Sequence, residues 1–277
     1  MTTSIYALKQ LEEAVHNCDQ ICKNGKCSDT TPALHALDIG VTLNIGANDN
    51  LYYDVANDQC KHFATCLGEN PTEGVAHVNS KILIHLMQMQ QFLQEGKCDE
   101  ARPLVNAIAS QNWIPLIQGI LRYGWMLTDQ NPYPLITSKA HQASGATFAA
   151  AILPMIHQCG PRAAKLIHEN MKIRNTDKDV DFKAVQDALE GCYEHLGVTC
   201  EDVGGLVDEV SDDVVVKYFE PTQPCDRIMS TTVNGNKNTP SKKSASGPSV
   251  FGYIIILLLI GGLCYLPQKA SGKEKSK

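Results

Sequence analysis

The sequence predicts an all-α protein. A compact helical domain of about eight helices covers residues 1–220, a flexible linker 221–249, a single C-terminal transmembrane helix 250–266 and a short basic tail 267–277. Three observations carry that expectation. Apolar residues through 1–220 recur every three or four positions, the period of a helix face, and not at every second position as on a strand. Residues 221–249 turn to Pro, Ser, Thr, Asn, Gly and Lys, a composition that lacks the apolar side chains a core requires. Residues 250–266 contain no charged side chain. The whole composition, 43% hydrophobic and 19% charged over 277 residues, is that of a chain that folds.

In chain order, Ile5, Leu8, Leu11, Val15 and Cys18 line one face of a first helix, with Thr3 or Ser4 as its cap. The stretch from Val41 to Ile45 reads as strand-like. Asp49 or Asn50 caps a helix that carries Ala56, Cys60, Phe63, Ala64 and Leu67. The clearest stripe is Val75, Val78, Ile82, Leu86, Met89 and Leu93, with steps of 3, 4, 4, 3 and 4, and Gly96 ends it. Asp99 opens a helix through Ile108, and Trp113 to Leu127 forms another, strongly apolar one. Asn131-Pro-Tyr-Pro134 breaks the chain, because its two prolines fix φ and remove donors. Ala140 to His157 is an Ala-rich helix, separated by Gly160-Pro161 from one over 162–173. Asp179 or Asp181 caps a helix through Leu196, with Phe182, Val185, Leu189, Cys192 and His195 on one face. Val214 to Val216 is strand-like.

The stretch Val250–Leu266 has the length of a short membrane span. Eleven of its residues are Val, Phe, Ile or Leu, which together favour insertion by about 3–6 kcal/mol. Tyr253 and Tyr265 stand near its two ends, at headgroup depth. The expected topology is that of a tail anchor, since the first residues contain no uninterrupted apolar run of a secretory signal and position 2 is Thr, not the Gly that myristoylation needs. Lysines flank the segment on both sides, so the positive-inside bias does not orient it. A linker as long as 221–249 reaches about 30 Å on average.

Charge excludes one class of partner. Residues 1–220 hold 16 basic and 28 acidic side chains, whereas 221–277 hold 8 basic and 2 acidic. Affinity for phosphate backbones comes largely from Lys and Arg, so an acidic domain predicts no nucleic-acid binding. The partners expected are a lipid bilayer and another protein.

Ten cysteines precede the span, and an eleventh, Cys264, lies inside it. Cys18, Cys22, Cys27, Cys60, Cys66, Cys98, Cys159, Cys192, Cys200 and Cys225 are candidate disulfide cysteines, of a pairing that spacing does not fix. Free buried thiols or a metal site are the alternatives. Cys18-x3-Cys22-x4-Cys27 and Cys60-x-His62-x3-Cys66 could offer soft ligands to zinc, but neither contains a CxxC pair. Glu13-x-x-His16 is the only Glu-x-x-His, where a di-iron bundle needs two. His85, His141 and His195 read as surface or satisfied core histidines, and Gly160-Pro161 separates His157 from His168. The acids Asp177, Asp179 and Asp181 alternate as in a calcium loop, yet Phe182 stands where such a loop needs Gly and Ala188 where it needs Glu. No GxSxG, Walker or GxGxxG motif occurs. The chain therefore predicts no catalytic residues, no cofactor and no metal.

Many cysteines with no secretory signal create a conflict of compartments. The plan of the chain resembles that of virion membrane proteins of large cytoplasmic DNA viruses, whose cysteines are oxidised on the cytosolic side; the resemblance is one of plan and not of motif. The expected function is thus a non-enzymatic, C-terminally anchored single-pass membrane protein whose disulfide-supported domain binds or assembles. In its most specific form it is a component of a virion membrane or of the apparatus by which a virion enters cells. The alternatives are a cytosolic tail-anchored adaptor on an organelle membrane, with reduced cysteines, and a membrane-tethered metal enzyme.

Overall fold

The computed structural model describes residues 2–23, 26–46, 52–128, 138–173, 180–211, 213–220 and 222. All belong to one unit, Met1–Thr231; a second unit, Thr232–Lys277, lies outside the described residues and takes with it the apolar segment 250–266. Among the described residues no helix is long and apolar enough to cross a membrane. The Asn131-Pro-Tyr-Pro134 break, Asp177, Asp179 and Cys225 also fall outside them.

The fold is helical. It runs α1 (Thr2–Ile21), β1 (Cys22–Lys23), β2 (Lys26–Cys27), α2 (Thr31–Ile45), α3 (Tyr52–Phe63), β3 (Cys66–Leu67), β4 (Val75–Ala76), α4 (His77–Gln94), α5 (Cys98–Met126), α6 (Ser138–Cys159), α7 (Pro161–Met171), α8 (Phe182–Glu190), α9 (Tyr193–Leu196), α10 (Cys200–Val203), β5 (Val207–Val210) and β6 (Val216–Tyr218). Eight of these helices have nine residues or more, and α9 and α10 are single turns. The strands form three antiparallel two-stranded hairpins.

Helix α5 is the axis of the domain. Its Ile108, Ile114, Ile117 and Ile120 are fully buried, and α1, α3, α4, α6, α7, α8 and α10 all pack on it. It runs unbroken over 29 residues, where the sequence reading had two helices. The polar stretch between them, Ala109 to Asn112, stays helical because it is enclosed: Gln111 and Asn112 are buried. Pro115 inside the helix removes the N–H that would bond the Gln111 carbonyl. That carbonyl instead accepts from the buried Tyr52 hydroxyl at 2.7 Å, and burial holds the Tyr52 phenol well above its ordinary pKa. Gln118 ties α5 to the far end of the chain, its Nε2 donating to the Val203 carbonyl at 2.8 Å and to Thr65 Oγ1 at 3.1 Å.

Other expectations need correction. Val41 to Ile45 is the last turn of α2, not a strand. The buried face of α2 is built from Ala33, Ala36, Leu37, Gly40 and Asn44, helically spaced but with Leu37 as its one large apolar residue. Gly40 is needed there, since a Cβ would lie 2.7 Å from Leu11 Cδ2 of α1. Helix α1 begins at Thr2, so Thr3 and Ser4 lie inside it, and Ile5 is exposed while Leu11, Val15 and Cys18 are buried. Leu67 and Val75 are exposed strand residues, not members of helix faces. The helix expected to reach Leu196 stops at Glu190, so His195 is exposed in α9; Asp181 is its cap, accepting from the Ala184 N–H at 3.1 Å. Of the expected strand, Val216 alone pairs, and Val214 has a φ of 60°.

Candidate functional site

Two of the cysteine pairs are local in sequence, and two are brought together only by the fold. Disulfides join Cys18 to Cys98, Cys22 to Cys27, Cys60 to Cys66 and Cys159 to Cys192. Cys200 is disulfide-bonded as well. Two of these bonds meet at one place. Cys18 lies in the last turns of α1, and the chain then enters the β1–β2 hairpin, in which Cys22 faces Cys27. The loop after α4 brings Gly96 against the hairpin and starts α5 at Cys98. The inner bond, Cys18–Cys98, is enclosed, with Cys18 fully buried and Cys98 nearly so; the outer one, Cys22–Cys27, is half-buried. Cys18 Sγ and Cys22 Sγ are 3.9 Å apart, so the two bonds are in contact.

Gly96 permits this arrangement twice over. Its φ of 70° belongs to the left-handed region that favours glycine, and a Cβ there would come within 2.3 Å of Cys27 Sγ and 3.4 Å of Cys22 Sγ. The surroundings are charged. Lys23 and Lys26 face each other across the hairpin and are exposed. Lys97 pairs with Glu95 at 2.5 Å, and Arg102 of α5 pairs with Asp19 of α1 at 2.6 Å beside the inner bond. Chemically, the cluster offers two disulfides side by side, with the exposed Lys23 and Lys26 next to the outer one and the acids Asp19, Glu95, Asp99 and Glu100 around the other cations, Lys97 and Arg102. Cations stabilise thiolates, the reactive form in thiol–disulfide exchange.

The remaining candidates are dispersed or used by the fold. The sulfurs of Cys18, Cys22 and Cys98 lie within 4.8 Å of one another, a spacing that suits a metal, but in disulfides they are not thiolate ligands. Cys60 and Cys66 are bonded to each other, which removes them from the zinc set with His62. Burial and the nearby Arg122 lower the His62 pKa against the pull of Asp58. His141 lies tilted against the Tyr123 ring, with the ring centres 5.8 Å apart. Glu13 and His16 are exposed on α1. His157 and His168 do come together after all, despite the break at Gly160-Pro161, because α6 and α7 fold back into a hairpin whose open cleft they line with Lys165. What sequence reasoning missed is Gly96 as a participant and the pairing of Cys18 with Cys98, 80 residues apart. The one hint in the sequence is a glycine, Gly96, just past a helix stripe. No family model, curated protein or solved structure matches the chain.

Proposed function

We propose that this protein is a non-enzymatic membrane-tethered component whose oxidised helical domain acts by binding or assembly, most specifically in a virion membrane or in the apparatus by which a virion enters cells. The observation that carries the reading is the conjunction of a disulfide-stapled domain with the uncharged 17-residue segment 250–266. The linker 221–249 would hold the domain at a working distance from the bilayer. Several polar contacts hold the helices of this domain together. Asn79 Nδ2 donates to the Tyr53 carbonyl and to Asn57 Oδ1, Gln118 locks α5 to α10, and Lys81 pairs with Asp202 at 2.6 Å.

One preparation tests it. Membranes from cells that express the full chain are washed with alkaline carbonate, and the retained protein is unfolded and alkylated without reductant. The expected result is protein in the pellet with the nine described cysteines unreactive. Release into the supernatant removes the membrane half of the reading, and free reaction of those cysteines removes the other.

A further inference from the structure

We propose that the paired bonds Cys18–Cys98 and Cys22–Cys27 form a thiol–disulfide exchange relay, in which an external dithiol opens the outer bond and Cys22 passes the exchange to the inner one. The proposal rests on the oxidised state assigned above and adds a reaction to it. Its basis is geometric. The outer bond is half-buried on a two-residue-strand hairpin at the surface, whereas Cys18 is fully enclosed, so a reagent meets Cys22–Cys27 first. Cys22 Sγ is already 3.9 Å from Cys18 Sγ, close to van der Waals contact for two sulfurs and an approach from which exchange can begin. Lys23 opposite Lys26 disfavours the bare hairpin by like-charge repulsion, leaving the disulfide as its clasp, and the same two charges favour thiolate once the clasp opens.

The steps balance. A thiolate of the dithiol attacks Cys27 Sγ; a mixed disulfide forms with Cys27, and Cys22 leaves as thiolate. Cys22 Sγ attacks Cys18 Sγ, making a Cys18–Cys22 bond and expelling Cys98 as thiolate, which takes a proton from solvent. The second thiol of the reagent attacks the mixed disulfide, so the reagent leaves as its cyclic disulfide and Cys27 remains as thiol. Two disulfides and two thiols stand on each side. The consequence is mechanical. A clamp between α1 and α5 that spans 80 residues is exchanged for a local link across four, between sulfurs already 3.9 Å apart. Helix α1 is then no longer covalently held to α5.

The full chain in detergent tests this with Cys27→Ser, which leaves Cys22 unpaired beside Cys18. After alkylation and non-reducing peptide mapping, the expected product is a Cys18–Cys22 linkage with Cys98 alkylated. Cys22 alkylated alone, with Cys18–Cys98 intact, overturns the relay while leaving the oxidised domain in place. Should that variant not fold, the native protein is treated with limiting dithiothreitol and quenched in acid. The first species expected has Cys27 and Cys98 free and Cys18 linked to Cys22; a first species with Cys22 and Cys27 both free and the inner bond untouched overturns the proposal. In Cys22→Ser/Cys27→Ser the inner bond should open about tenfold or more slowly than in the native chain. An equal rate also defeats the relay.

Discussion

Tyr52 and Pro115 show how a single side chain can repair a backbone fault at a distance. Pro115 has no N–H to offer Gln111, and the Tyr52 hydroxyl supplies the missing donor from another helix at 2.7 Å. Tyr52→Phe should therefore cost about 1–3 kcal/mol, the penalty of a buried unsatisfied carbonyl. Pro115→Ala in that background restores an N–H in the helix, so the double variant should recover most of the loss. Urea unfolding of the four proteins of this cycle measures the coupling, and strictly additive effects would count against the account. Gly96 is the second residue of this kind. Gly96→Ala places a Cβ in a left-handed conformation and within 2.3 Å of Cys27 Sγ. The backbone alone costs about 1–2 kcal/mol, and the added contact should lower the yield of the Cys22–Cys27 link, read by non-reducing peptide mapping. A variant with native stability and full linkage would show that the turn accommodates a side chain.

At the level of helices, the disulfides differ in what they hold. By loop-closure entropy, a cross-link over 80 residues is worth about 4–5 kcal/mol and one over 33 about 4, but those over 5 and 6 only about 2 each. Replacing Cys18 and Cys98 by Ser should thus lower the urea midpoint more than replacing Cys22 and Cys27, and a reversed order would mean that α1 stays docked by packing alone. The helices also differ in how far the sequence makes them readable. The α4 stripe from Val78 to Leu93 is legible because its buried positions other than Asn79 are apolar and helically spaced. Helix α2 is not, because only Leu37 on its buried face is large and apolar, the rest being Ala, Gly and Asn. The continuity of α5 is equally hidden, since buried Gln111 and Asn112 look like a loop until tertiary packing encloses them. Ten candidate cysteines could be named from the chain, but their partners depend on how α1, α4 and α5 meet.

Across the whole domain, protonation links the separate ion pairs into one pH response. His62, His77 and His141 all hold protons less readily in the folded domain than free in water. Burial is the first cause in each case, reinforced at His62 by Arg122 and Lys61 against Asp58, at His77 by Lys81 against Asp202, and at His141 by Arg122. A folded pKa below the unfolded value of about 6.5 means that the unfolded chain binds more protons on acidification. Stability from these three groups is thus complete above about pH 6.5 and falls as pH drops below it toward their folded values. Asp202 acts in a lower window. Burial would raise its pKa, but hydrogen bonds from Lys81 and Thr199 outweigh it and lower the value. Its contribution to joining α4 to α10 is present above about pH 3.9, the unfolded value, and is lost as pH falls through the folded one. The melting temperature of the full chain in detergent, followed by circular dichroism from pH 7.5 to 3, should therefore fall in two stages. Replacing His62, His77 and His141 together by Gln should flatten the first stage, and Asp202→Asn should reduce the second, which Asp202 shares with Asp29, Glu95 and Glu169. A melting temperature constant from pH 7.5 to 5 in the native chain, or a first stage that survives the triple replacement, would place the acid response elsewhere in the molecule.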